Sequence, residues 1–273
     1  MAKRARTRAA QVVVVASIAI IADAAPTPAQ SYQPLLFAYG ELMRPMHYLR
    51  GRANPYVLEK ADFFGGIDVA KANTFAWAGV TYAPFGKMAE DGLRVRFMGG
   101  AGLYSYRSAI VPGGINDVNV FSGELLGGYR KTFNNVFGQT VYAGAFAGIN
   151  YEDQLLHLAD PFNPTRGAEA GLKGSLELYS RVWRRYIVTA FGSASSVHGK
   201  YYAKGSLLYE LNQTWGFGGE LAAMGDRRYT EHRAGLVASF TWQQKVFALS
   251  AGALENSGRG EGAYMNFSVY SPF

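Results

Sequence analysis

Ser195, Ser196 and His198 lie within four residues of one another. A serine hydroxyl beside an imidazole is the pairing that nucleophilic hydrolysis uses. Such pairs are defined by geometry and not by local spacing. Serines near a histidine at a segment end are common, so this stretch assigns no catalytic residue. The histidines, His47, His157, His198 and His232, form no H-x-x-x-H or H-E-x-x-H pair, so a metal site is not indicated. Between Asn150 and Gly167, Glu152, Asp153 and Asp160 offer carboxylates that a calcium ion could use, but without D-x-D-x-D spacing. Asp160-Pro161 and Asn163-Pro164 initiate turns, as does the Pro-Gly step in "VPGGIND", and turn chemistry is the preferred reading. Cysteine is absent, which excludes thiol and disulfide chemistry. No cofactor is called for.

A second group of charges recurs at alternate positions. Arg94, Arg96, Glu124, Arg130, Glu169, Lys173, Glu177, Lys204, Glu210, Glu220 and Arg233 each fall on the polar side of an alternating segment. The signs are nearly balanced. Such a set suits salt-bridged filling of a narrow interior as well as it suits a conduction path. Tyr104, Tyr106 and Tyr202 share that side. They could stack on sugar rings, and they could equally be packing.

The elements that must position these groups are strands. "RGAEAGLKGSLELYS" (Arg166 to Ser180) is rich in helix formers. Its charges at Glu169, Lys173 and Glu177 stand at helical i, i+4 spacing. Yet Ala168, Ala170, Leu172, Leu176 and Leu178 follow a strict period of two, and Gly171 and Gly174 would each cost a helix interior roughly 1 kcal/mol. The same alternation predicts about twelve strands, over 62–70, 74–83, 93–105, 118–130, 139–151, 168–179, 186–197, 201–210, 215–224, 232–242, 246–253 and 263–273. Most run to roughly 9–13 residues, the length a tilted strand needs to cross a bilayer. No segment offers 18 consecutive apolar residues. A membrane-embedded chain of this kind must therefore close into a barrel, because hydrocarbon leaves no water to satisfy an open sheet edge.

The expected fold is all-β: an antiparallel transmembrane barrel of outer-membrane type, spanning 62–273. Its outer face would be Leu, Val, Ala and Gly, flanked by aromatics at strand ends: Tyr82, Tyr129, Tyr151, Tyr179 and Trp242. With both termini periplasmic, the longest connections, 106–117 and 152–167, face outside. The 84–92 connection is long for a periplasmic turn. Residues 1–24 have a basic start, an apolar run from Val12 to Ala22 and an Ala22-Asp23-Ala24 site, the plan of a cleaved Sec-type signal peptide. Residues 25–61 lack alternation and read as a periplasmic arm or plug. The chain closes on Phe273, with Phe267 and Val269 in phase, which resembles the signal read by the barrel-insertion machinery. Pro272 departs from it. Net charge is +7, and four of the basic residues sit in the signal segment. The rest are dispersed, so no nucleic-acid partner is implied.

Several stretches together are similar to the cellulose biosynthesis protein BcsS family. These are "FFGGIDV", "FAWAGVTYAPFG", "EDGLRVRFMGGAGLYSY", "SGELLGGY", "YAGAFAGINYEDQLL", "DPFNPTRGAEAGLKGSLELYS" and "GRGEGAYMNFSVY". The resemblance runs from about Asp62 to Phe273, and 150–180 is its most specific part. It implies a bacterial outer-membrane barrel working with a cellulose synthase system, in contact with membrane lipid and with the polymer or synthase components. It implies no catalytic or binding residues. The expected function is non-enzymatic assistance of cellulose export or surface anchoring. The alternatives are an outer-membrane lipid or polysaccharide hydrolase, using a Ser–His pair on the barrel wall, and a general small-solute channel.

Overall fold

The computed structural model describes residues 60–272. The expected signal peptide, nearly all of the 25–61 arm and Phe273 lie outside the described residues. Twelve strands follow one another within them: β1 (Ala61–Ala70), β2 (Asn73–Tyr82), β3 (Gly92–Arg107), β4 (Ile115–Val136), β5 (Gln139–Leu156), β6 (Gly167–Val182), β7 (Tyr186–Ser195), β8 (Tyr201–Glu210), β9 (Trp215–Gly225), β10 (Thr230–Trp242), β11 (Lys245–Asn256) and β12 (Gly260–Pro272). Each pairs antiparallel with its sequence neighbours, and β1 pairs with β12, which closes the barrel. Pro272 sits opposite Asp62 at the end of the seam, where a missing N–H costs least. "RGAEAGLKGSLELYS" lies in β6, as its alternation predicts.

Alternation assigns the two faces. Leu93, Val95 and Phe97 of β3 are exposed, while Arg94 and Arg96 are each only 1% exposed. On β6, Leu172 is 70% exposed, and on β10 Leu236 is 75% exposed. An exterior of this kind around the whole circumference is far beyond the apolar patches that soluble surfaces carry. It fits hydrocarbon, and closure removes the edges that hydrocarbon would not tolerate. Tyr82, Tyr129, Tyr151 and Trp242 face outward as expected. Tyr179 does not: it is 1% exposed and meets the Tyr142 ring edge-on at 6.2 Å inside the barrel. It shares parity with Glu177, and a period of two places both on the same face.

The strands run past several expected boundaries. β4 and β5 extend as a ladder to Gln139, so the expected 131–138 connection shrinks to Phe137-Gly138. Both turn residues have positive φ, 51° and 80°, as the tight hairpin turns that match strand twist require. "TFNNV" breaks alternation, which hid this extension; the ladder slips between Phe133 and Val136. The two long outer connections contract to 108–114 and 157–166, and β7 ends at Ser195, before a short 3-10 turn over Val197–Gly199. The 83–91 turn stays long because its Met88 is fully buried. Arg94 donates to the carbonyls of Lys87 (3.1 Å), Met88 (3.2 Å) and Glu90, and Arg130 donates to that of Met88 (3.0 Å). The turn is folded against the end of the lumen at which β1 begins.

Close packing inside depends on glycine at chosen places. Phe75 of β2 lies flat across β3 at Gly100 and Gly102, where an added Cβ would come within 2.5 Å of its ring. Only glycine admits the ring there.

Candidate functional site

The barrel interior is the candidate site. Its predicted charges all point inward, and most are joined in pairs between strands one to three apart. Arg96 on β3 reaches Glu177 on β6 at 3.0 Å, donates from Nε to Thr81 Oγ1 at 3.3 Å and lies 3.7 Å over the Phe146 ring. Lys173 on β6 meets Glu124 on β4 at 2.5 Å. Lys204 on β8 meets Glu220 on β9 at 2.8 Å, and the Tyr264 hydroxyl donates to the same Glu220 at 2.7 Å. Arg233 on β10 holds Asp68 on β1 through two nitrogens, at 2.7 and 3.2 Å. Its Nε donates to Glu231 at 2.6 Å, and its guanidinium stands over the Tyr264 ring at 4.8 Å. Glu210 binds Arg181 near the end at which β1 begins, at 2.5 Å.

The logic of these pairs is desolvation. Buried charges are retained where each has an opposite charge and further hydrogen bonds. Asp68 illustrates this, since Asn266 Nδ2 also donates to it at 3.2 Å. The cavity beside this network, lined by Asp68, Tyr202, Lys204, Glu220, Arg233 and Tyr264, has room for about one water molecule.

The opposite mouth, beyond the ends of β5 and β7, is built separately. Lys200 pairs with Glu152, and His198 Nδ1 lies 2.7 Å from Glu169 Oε2, with Nε2 3.7 Å from Glu152. Burial holds the His198 imidazole below its usual pKa against the pull of Glu152. Asp226, in the turn after β9, is pushed up to about 6, first by burial. Its Oδ1 accepts the N–H groups of Arg228 (2.7 Å) and Tyr229 (3.0 Å). The 157–166 loop is organised as turns. Asp160 accepts from the Phe162 N–H at 3.1 Å and from the Tyr106 hydroxyl at 2.8 Å, and Asn163 accepts from the Thr165 N–H at 2.9 Å. Glu152 is committed to Lys200, so Glu152, Asp153 and Asp160 do not converge.

Tyr104 and Tyr106 face inward, with the Tyr104 hydroxyl donating to Gln154 at 2.8 Å. Tyr202 packs edge-on against Phe191, their ring centres 6.0 Å apart. The hydroxyls of Ser195 and Ser196 are engaged elsewhere: Ser195 donates to Asn150 at 3.0 Å, and Ser196 accepts from the Leu172 N–H at 2.9 Å. His198 faces carboxylates.

Sequence reasoning missed Asp68, Glu231, Tyr264, Asn266, Glu152 and Lys200 as members of the network. Asp68 shares parity with the buried Phe64, and Glu231 with Arg233, so alternation could have found those two. Lys200 stands next to a loop, where no period marks it.

A closed antiparallel barrel, apolar outside and charged within, defines a transmembrane barrel of the outer-membrane type. The chain belongs to the cellulose biosynthesis protein BcsS family, whose model matches residues 63–273. That membership assigns it to cellulose biosynthesis. None of the curated proteins matches it in sequence. Among solved structures, it is similar to a KdgM porin at 11% identity and a TM-score of 0.48, over 78% of this chain and 99% of that one. It is also similar to a KdgM porin in complex with disordered oligogalacturonate, at 13% identity and a TM-score of 0.46, over 78% and 99% of the chains. CdiB from Acinetobacter baumannii is similar at 9% identity and a TM-score of 0.38, over 79% of this chain and 60% of that one.

Proposed function

We propose that this barrel serves cellulose secretion without catalysis, as a closed anchor in the bacterial outer membrane. In this reading the polymer and its secretion machinery are held at the barrel ends and do not pass through its centre. The observation that carries it is the set of buried ion pairs inside the lumen, each joining strands one to three apart, from Arg96–Glu177 to Arg233–Asp68. A sugar chain threading this path would have to part several desolvated pairs at once, each costing several kcal/mol to break. The Ser195, Ser196 and His198 geometry supports the non-enzymatic part, since both hydroxyls are bonded to other groups.

The test combines two measurements. Full-length protein in planar bilayers should give no steady open-channel current, and a clean deletion should lower the cellulose retained on cells. A steady conductance blocked by cello-oligosaccharides would replace the anchor with a conduit. Unchanged cell-bound cellulose in the deletion strain would remove the cellulose role of this barrel. Joint replacement of Ser195, Ser196 and His198 should leave cellulose output intact; its loss in a folded variant would favour an enzyme.

A further inference from the structure

At the end where β1 begins, one turn joins the aromatic rim of the outer face to a concentration of positive charge. The β6–β7 turn, residues 183–185, reads Trp183-Arg184-Arg185. Trp183 is 76% exposed, and both arginines are exposed. Trp183 (φ 47°) and Arg184 (φ 66°) hold left-handed backbone, which glycine or asparagine adopts at less cost. The turn keeps large side chains against local backbone preference, as functional positions do.

The turn is fastened from the lumen side. Arg181, neutralised by Glu210, donates from Nη1 to the Arg184 carbonyl at 3.1 Å. The Glu210 N–H donates to the Arg185 carbonyl at 2.7 Å. On the outer face, Tyr186 and Tyr209 are register partners in phase with the exposed Leu207, their ring centres 5.2 Å apart. Trp183 meets Tyr186 edge-on at 5.9 Å, and Arg185 Nη1 donates to the Tyr209 hydroxyl at 3.0 Å. A guanidinium is thereby fixed to the aromatic row at the edge of the apolar band, the depth at which lipid headgroups begin.

The nearby Glu210 is committed to Arg181, and among the described residues no carboxylate pairs with Arg184 or Arg185. The other turns at this end differ. Residues 137–138, 211–214 and 243–244 carry no charge, and 83–91 sets Glu90 and Asp91 against Lys87. Among these turns, surplus positive charge is therefore confined to 183–185. Guanidinium groups match the oxygens of a phosphate, and tyrosine and tryptophan rings match the glycerol and first acyl carbons beside it.

We propose that the 183–185 turn binds the headgroup of an anionic membrane phospholipid. Arg184 and Arg185 hold the phosphate oxygens, and Trp183, Tyr186 and Tyr209 pack against the glycerol. This inference rests on the membrane-spanning fold and is independent of the cellulose reading.

The test counts lipid retained by the full-length protein in native mass spectrometry, after exposure in detergent to phosphatidylglycerol or phosphatidylcholine at equal concentration. The proposal expects phosphatidylglycerol to be preferred by about tenfold, and Arg184→Gln with Arg185→Gln to bring the ratio near one. Arg227→Gln with Arg228→Gln, which removes two exposed arginines from the opposite mouth, should keep the preference. Absence of a preference in the unaltered protein overturns the site. Equal loss in the two double variants overturns it too, since net charge alone would then explain retention. Inorganic phosphate at millimolar concentration should leave bound phosphatidylglycerol in place; displacement would make this a free-anion site and overturn the lipid assignment. If the first double variant does not fold, as judged by heat-modifiable migration, the single Arg184→Gln decides, because that side chain makes no hydrogen bond among the described residues. It should lower the preference at least about threefold, and an unchanged ratio overturns the proposal.

Discussion

Replacing Arg233 by methionine tests whether the lumen network is dry. The guanidinium makes three charge-assisted hydrogen bonds, two to Asp68 and one to Glu231. At about 1.5–3 kcal/mol each, the gross loss is roughly 4.5–9 kcal/mol. Part of it is recovered. Asp68 keeps the Asn266 amide, Glu231 keeps the Tyr229 hydroxyl, and methionine fills much of the volume of the arginine stem. Two carboxylates nonetheless remain buried without their cation. The expected net loss is about 3–5 kcal/mol, the cost of breaking a buried pair from one side. The assay is denaturant unfolding in detergent micelles, followed by tryptophan fluorescence. The triple variant Asp68→Asn, Glu231→Gln, Arg233→Met should regain most of the loss, since it leaves no unpaired charge. A single-variant loss below about 1 kcal/mol would mean that water screens the network, and the closed-lumen reasoning would fall. A triple variant as unstable as the single one would assign the loss to packing.

Two further outcomes follow from particular residues. Asp226 has a folded-state pKa of about 6, raised above its unfolded value near 3.9. The folded state therefore binds the proton more tightly, and stability falls as pH rises from about 4 to 6. Asp226→Asn, which keeps the turn acceptor, should flatten that limb of the pH profile; an unchanged profile would exclude Asp226 as its source. Gly100→Ala forces a methyl group into the Phe75 ring and should cost about 1–3 kcal/mol, whereas Gly127→Ala on the outer face meets nothing within 4 Å and should be neutral or slightly stabilising. Equal effects in the same unfolding assay would contradict the packing described.

Much of the fold was legible because a strand has a period of two and one solvent on each side. With lipid outside and charge inside, parity alone places Leu172 outward and Lys173 inward. The same rule, applied consistently, puts Tyr179 inside with Glu177. The boundary that failed most lies where parity is silent, as in "TFNNV", whereas the expected 84–92 connection is within one residue of the observed turn around Met88.

The amino-acid pattern by itself determined the class, the number of strands and the face of each lumen charge, because those depend only on neighbours along one strand. It could not determine that Arg96 meets Glu177, or that Arg233 meets Asp68, 165 residues away. Those partners are set by barrel closure and by the stagger of strands that are not adjacent in sequence. Charges on one face can be counted from the chain, but only the closed circumference decides which of them stand opposite one another.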